Sequence, residues 1–219
     1  MWKYLDKRGV LLSIAMSAKK FSQRRFVTVD PAKCTGCGIC EYACSQEKGD
    51  AWSPLRSRIR VVRMKPLLNF SLTCRSCEDA KCVVACPEKA LKQSENTGIL
   101  MVDEKKCEGC DWCVQACPYG GITLHPDTRV AVTCDLCGGD PQCVKFCPEE
   151  ALVIVNNDEE AEKLSSQAIE KLPAETERLT GLVKGKNWKP LIEDAEERSL
   201  HITDKLEALN KKSQAKNKK

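Results

Sequence analysis

The chain has 219 residues, of which sixteen are cysteine, with 35 basic and 31 acidic side chains and a formal charge of +4. Cysteine at about 7%, beside only eleven aromatics (four Phe, four Trp, three Tyr), leaves thin material for an ordinary hydrophobic core, so cross-links or metal must carry part of the fold. No run approaches eighteen apolar residues, which excludes a membrane-spanning helix, and the basic residues are not interleaved with aromatics, which argues against nucleic acid as a partner.

Residues 1–25 read as an N-terminal arm. Val10–Ala18 is a short apolar stretch behind Lys7 and Arg8, but it is broken by Ser13 and Ser17 and runs into Lys19-Lys20 without a cleavage site. Met16 is a second candidate for the start of the chain. Arg24-Arg25-Phe26 echoes a twin-arginine signal, yet Val27-Thr-Val-Asp30 follows where a hydrophobic region belongs. The expectation is therefore a cytoplasmic protein.

From Phe26 to Val155 the sequence alternates short strands with cysteine clusters. Val27–Pro31 is a strand candidate leading into Cys34, Cys37, Cys40 and Cys44, spaced C-x2-C-x2-C-x3-C. Ser57–Arg63 is strand-like, with Arg56, Arg58, Arg60 and Arg63 suited to a subunit-docking or solvated face. Cys74, Cys77, Cys82 and Cys86 read C-x2-C-x4-C-x3-C, followed by Pro87 and by Ala90-Leu-Lys92. Ile99–Asp103 precedes Cys107, Cys110, Cys113 and Cys117, which repeat the first spacing and end on Pro118. Ile122–Leu124 and Val130–Val132 form a hairpin around His125–Thr128, where His125 is a turn residue. Cys134, Cys137, Cys143 and Cys147 read C-x2-C-x5-C-x3-C, then Pro148 and Ala151–Val155. The echo between Cys-Pro-Glu-Lys-Ala-Leu91 and Cys-Pro-Glu-Glu-Ala-Leu152 points to duplication of one module.

Four sets of four account for every cysteine. A disulfide framework needs an oxidising compartment, and a structural zinc site takes two ligands from each of two separated pairs. The spacing C-x2-C-x2-C-x3-C-P is instead the established bacterial ferredoxin run, in which three cysteines grip one [4Fe–4S] cluster and the fourth reaches a second. Proline after the fourth cysteine has no N–H and a fixed φ. Cys44 departs from this by carrying Ser45, whose extra N–H would alter the hydrogen bonding of that sulfur. Since each fourth cysteine serves another cluster, the motifs must work in pairs, either neighbour with neighbour or one pair nested within the other.

Beyond Asn156 the cysteines stop. Residues 158–172 read as a helix with Leu164, Ile169 and Leu172 on one side, ended by Pro173. Gly181 and Gly185 break the following stretch. Pro190–Leu209 reads as a second helix with Ala195, Ile202, Leu206 and Leu209 along one stripe, and residues 211–219, with five lysines and no acid, as a disordered end. A narrow apolar stripe wants a partner surface, either this chain's own cluster domain or another subunit.

Cys34-Thr-Gly-Cys-Gly-Ile-Cys-Glu-Tyr-Ala-Cys44, Ser57-Arg-Ile-Arg-Val-Val-Arg63 and the four motifs carry a resemblance. Residues 26–155 resemble the four-cluster iron–sulfur subunits of the dimethyl sulfoxide reductase and formate dehydrogenase type. They look closer still to the ferredoxin-like subunits that accompany tungsten aldehyde oxidoreductases and tungsten benzoyl-CoA reductase. The resemblance implies an α+β fold of two nested ferredoxin-like modules (26–155) with a helical, partner-docking extension (156–219). It implies four [4Fe–4S] clusters: Cys34, Cys37 and Cys40 with Cys147; Cys134, Cys137 and Cys143 with Cys44; Cys74, Cys77 and Cys82 with Cys117; and Cys107, Cys110 and Cys113 with Cys86.

No catalytic constellation accompanies the cysteines: the two histidines, His125 and His201, lack a nucleophile and base, and dinucleotide and phosphate-loop motifs are absent. The expected function is that of a non-catalytic subunit of an anaerobic oxidoreductase complex. It relays single electrons between a tungsten- or molybdenum-pterin catalytic subunit and a low-potential carrier, such as a ferredoxin or another redox subunit. The alternatives are a carbon monoxide dehydrogenase or hydrogenase partner, or a free polyferredoxin.

Overall fold

A computed structural model describes residues 21–49, 52–64 and 68–216. The apolar stretch Val10–Ala18, both candidate start residues, most of the expected N-terminal arm and residues 217–219 lie outside the described residues.

The fold is α+β, with strands of three to five residues and two long helices beyond Asn157. Strand β1 (Phe26–Val29), with the β-branched and aromatic sequence FVTV, is buried throughout and pairs antiparallel with β8 (Leu152–Val155), Phe26 opposite Val155 and Val29 opposite Leu152. Strands β2 (Arg60–Met64) and β3 (Leu68–Leu72), β4 (Leu91–Gln93) and β5 (Leu100–Val102), and β6 (Ile122–Leu124) and β7 (Ala131–Thr133) form three further antiparallel pairs. Helices α1 (Ile39–Gly49), α2 (Lys81–Ala85), α3 (Trp112–Ala116) and α4 (Gln142–Lys145) each carry the third cysteine of one motif. The expected strand positions hold to within three residues, and β3 is an addition.

Cysteines replace much of the missing oil. One apolar group joins Val27, Val29, Ile59 and Leu152 to Cys40, Cys44, Cys143 and Cys147; another joins Leu91, Leu100 and Ile122 to Cys74, Cys82 and Cys113. Cys134 touches both.

Three of the arginines expected on a docking or solvated face make contacts within the chain. Arg56 pairs with Asp127 at 2.6 Å, Arg58 with Asp135 at 2.8 Å, and Arg63 donates to the Gly36 carbonyl at 2.7 Å. Arg24, half of the apparent twin-arginine signal, is buried: it donates to the carbonyls of Arg75 and Ser76 and lies over the Phe26 ring.

The C-terminal region departs from expectation. Pro173 does not end its helix: α5 runs Asp158–Lys184, through Pro173 and Gly181. Proline leaves the Ile169 carbonyl without its helical donor, but Ile169 lies on an exposed face, where water can serve it. The helix stops at Lys186, which takes the left-handed conformation (φ 52°) while Asn187 N–H donates to Leu182 O and Lys186 N–H to Val183 O. The second helix, α6, spans Lys189–Lys216. Residues 211–216, expected to be disordered, are helical because they have partners: Lys212 and Lys216 meet Glu47 at 2.8 and 3.0 Å, and Ser213 accepts from Gln46 at 2.8 Å. Leu209 and Ile202 pack on Ile39, Ala43 and Phe146, so α6 covers α1 and α4 of its own chain. Ala161 anchors α5 against Phe26 and Val155. Ile169 and Leu206, placed on the apolar stripes by periodicity, are exposed. Among the described residues no helix is long and apolar enough to cross a membrane.

Candidate metal centres

Each motif is a loop that leads into the helix carrying its third cysteine. Gly36 and Gly38 (φ 71° and 84°) turn the first loop, and Gly109 (φ 67°) the third, where an added Cβ would strike the Arg129 backbone. In the fourth loop Leu136, Cys137, Gly138 and Gly139 all have positive φ, and the Asp135 carboxylate accepts the Cys137 N–H at 3.0 Å.

The sulfurs meet across motifs. Cys34 interacts electrostatically with Cys147 and Cys37, and Cys40 with Cys143, Cys37 and Cys34. Cys143 faces Cys134, Cys44 and Cys137. Cys77 and Cys82 face Cys74 and Cys117, while Cys113 faces Cys107, Cys86 and Cys110. A small cavity is lined by Cys86, Cys107, Cys110 and Cys113 together with Leu91, Leu124 and Ala131.

Burial dominates the protonation of these thiols, with neighbouring sulfurs adding to it. The thiols of Cys77, Cys82 and Cys134 are pushed up to about 12 and that of Cys113 to about 11, and burial drives Cys143 higher still. Such sulfurs carry negative charge only against a strong cationic centre.

Backbone amides complete the sites. After each Cys-Pro the chain makes a turn whose fourth residue (Lys89, Gly120, Glu150) has a positive φ. The next N–H then points back at the sulfur: Ala90 to Cys86, Gly121 to Cys117 and Ala151 to Cys147, all at 3.3 Å. Ala131 N–H donates to Cys107 at 3.3 Å and Ser76 N–H to Cys74 at 3.5 Å. Cysteine spacing alone does not announce these donors, although the small residue four places after each Cys-Pro cysteine signals them. The expectation for Ser45 needs correcting: α1 continues past Cys44, and the N–H that reaches its sulfur belongs to Arg58, at 3.2 Å.

All-sulfur donors with N–H groups aimed at them suit thiolate-held iron–sulfur centres. Among the described residues no three His, Cys, Asp or Glu side chains converge tightly enough for a single metal ion, whereas a cubane spreads its ligands more widely. His125 and His201 stand apart from the sulfurs: His125 Nδ1 accepts from Asp127 and Thr128 within its turn, and His201 lies 3.9 Å from Glu149.

Comparison with known proteins agrees with this donor set. Residues 66–157 match a 4Fe-4S dicluster domain and residues 26–47 a 4Fe-4S binding domain. The polyferredoxin-like subunit of an aliphatic sulfonate oxidoreductase from Pyrococcus furiosus is 43% identical over 142 residues, which cover 63% of this chain and 82% of that one. The chain belongs to the polyferredoxin-like electron-transfer subunits. This polyferredoxin-like subunit is also 41% identical over 129 residues to the beta subunit of an NADH-dependent phenylglyoxylate dehydrogenase from Aromatoleum evansii, spanning 58% of this chain but only 29% of that longer one. A solved structure of the BamBC active-site complex of benzoyl coenzyme A reductase is 26% identical, with a TM-score of 0.36, over 60% of this chain and 76% of its own. The polyferredoxin-like subunit is thus an iron–sulfur electron carrier with four [4Fe–4S] clusters, and its relatives are electron-transfer subunits of oxidoreductase complexes.

Proposed function

We propose that the four motifs work as two nested modules. Cys34, Cys37, Cys40 and Cys147 hold one centre; Cys44, Cys134, Cys137 and Cys143 hold its neighbour; Cys74, Cys77, Cys82 and Cys117 hold a third; and Cys86, Cys107, Cys110 and Cys113 hold the fourth. The observation that carries this reading is the nearness of Cys34 to Cys147, far apart in sequence, which pairing of neighbouring motifs would not produce. Centres of this kind take up and give back one electron at a time.

The residues suggest a linear order. Cys40 lies beside Cys143, linking the first centre to the second, and Cys134 lies beside Cys74, linking the second to the third. Helices α2 and α3 pack together and bring the third and fourth motifs into one unit. Cys37 and Cys110 are the two exposed cysteines, one in the first centre and one in the fourth. They mark the two ends of the path, one for a catalytic subunit and one for a low-potential carrier.

The catalytic partner in this reading is a tungsten- or molybdenum-pterin oxidoreductase of the aldehyde-oxidoreductase kind, working anaerobically in the cytoplasm. Residues 156–219 form a docking extension alongside the 26–155 cluster domain. The exposed apolar residues Ile169, Val183, Trp188, Ile192 and Leu200 on α5, α6 and their connection support this, since a free carrier has no use for them. Two experiments test the reading. Cys147→Ala in the full-length anaerobic protein is expected to damage the centre of Cys34; damage at the centre of Cys107 would overturn the nested pairing. Native size exclusion is expected to give a complex well above the 24.4 kDa chain, and a lone monomer would overturn the subunit role.

A further inference from the structure

Three of the four fourth-position cysteines accept an N–H from four residues on, at 3.3 Å. Cys44 lies inside α1, which runs to Gly49, so the amide four residues after it is consumed by the helix itself. Its sulfur is served across the chain by Arg58 N–H at 3.2 Å.

That donor is held from two directions. Ser57, fully buried, donates its hydroxyl to Ile59 O at 2.6 Å and accepts Ile59 N–H at 3.2 Å, which fixes the backbone on both sides of residue 58. The Arg58 guanidinium donates to Asp135 Oδ2 at 2.8 Å, and Lys48 Nζ reaches the same oxygen at 2.8 Å. The other Asp135 oxygen accepts Cys137 N–H at 3.0 Å. One carboxylate therefore ties together the donor residue, the helix that carries Cys44, and the loop that carries Cys134 and Cys137. That loop needs the restraint, since Leu136 and Cys137 sit at φ 56° and 51°, where side chains are disfavoured. Among the four fourth-position cysteines, the N–H donors to Cys86, Cys117 and Cys147 follow from a local turn alone, and only the donor to Cys44 is tied to an ion triad.

We propose that Asp135, with Lys48 and Arg58, is a positioning device that fixes the Arg58 N–H on the Cys44 sulfur and so gives the centre held by Cys44, Cys134, Cys137 and Cys143 a midpoint potential of its own. The proposal rests on the ligand set put forward above. Its physical basis is that an N–H aimed at a ligand sulfur, and a cation nearby, both favour the more negative, reduced state of the centre.

The test is a redox titration of the full-length, anaerobically loaded protein, followed by low-temperature electron paramagnetic resonance with iron counted in every sample. Arg58→Ala leaves the backbone donor and its Ser57 restraint present but removes the ion-pair tether, and is expected to lower one midpoint while the other components stay where they were. Arg58→Lys, which keeps the ion pair, is expected to restore that midpoint, and Asp135→Asn to move the same component. Cys44→Ala and Cys137→Ala identify that component by deleting its signal. If the two cysteine variants delete different components, the ligand set is wrong. If they delete the same component but Arg58→Ala leaves it unmoved, the ligand set stands and the positioning role is overturned. Should Arg58→Ala hold less than full iron, Lys48→Met takes its place at the rim of the triad: the same fall is expected, and an unmoved midpoint again overturns the positioning role.

Discussion

Arg24 Nη2 donates to both carboxylate oxygens of Asp158, at 2.8 and 3.0 Å, and so ties the approach to β1 to the first residue of α5. The guanidinium is buried and satisfied on its other side by the carbonyls of Arg75 and Ser76, next to Cys77. Removing Arg24 leaves the Arg75 and Ser76 carbonyls without their donor and opens a hole under Phe26, while Asp158 keeps Arg75 as a partner. Arg24→Ala is expected to cost about 3 kcal/mol. Faster thermal loss of the visible iron–sulfur absorbance than in the unsubstituted protein checks this, and an unchanged loss rate would refute it.

Gly121 is required by space. A Cβ there would collide with Thr73 O and lie 2.6 Å from Cys74 Cα, both of them backbone. Gly121→Ala is expected to push the second motif away from Cys117 and to reduce bound iron. Gly138, whose Cβ would meet open space at φ 71°, provides the contrast. Gly138→Ala is expected to cost only about 1 kcal/mol and to leave iron content intact. Comparable iron loss in the two variants would contradict the steric account.

Ser45→Pro would give the first motif the proline found after the other three fourth cysteines. It is nevertheless expected to destabilise the protein by about 3 kcal/mol, because Ser45 is fully buried within α1 and its helical N–H would be lost. Circular dichroism and iron retention after mild heating are the readouts. A stabilised variant would show that helix continuity past Cys44 is dispensable.

The anchorage of α6 is expected to depend on pH through Glu47. Burial opposes ionisation of this carboxyl, but hydrogen bonds from Lys212 and Lys216 outweigh it and hold it below the usual carboxylate range. A depressed carboxylate contributes stability above its ordinary value and loses it as the pH falls through the folded one. Glu47→Gln mimics the acid end at neutral pH. It is expected to speed proteolysis within α6 while iron content stays constant, and Leu209→Ala, which empties a fully buried site, to speed it further. Leu206→Ala, on the solvent side, is expected to change nothing beyond about 0.5 kcal/mol.

Much of the site is legible in the sequence because cysteine spacing is a local code. Cys34, Cys37 and Cys40 have to share one loop whatever the rest of the chain does. The strands leading into the motifs follow from β-branched runs such as Phe26–Val29. What escapes is decided across the chain. Asp135 lies between two cysteines and reads as a loop acid, yet its partners Lys48 and Arg58 arrive from 87 and 77 residues away. Pro173 reads as a helix end because local propensity says so, but a single missing donor on a solvated face does not outweigh the turns on either side. The lysine-rich end looks solvated because its partner, Glu47, belongs to a helix some 165 residues earlier.

The pairing of β1 with β8 has a bearing on biogenesis. Phe26 finds Val155 only after the intervening chain has been made, so this strand pair closes late. The hairpins of residues 91–102 and 122–133, by contrast, join near neighbours and can form as they leave the ribosome. Under the nested pairing proposed above, the first motif, though synthesised earliest, would be complete only once Cys147 has been made.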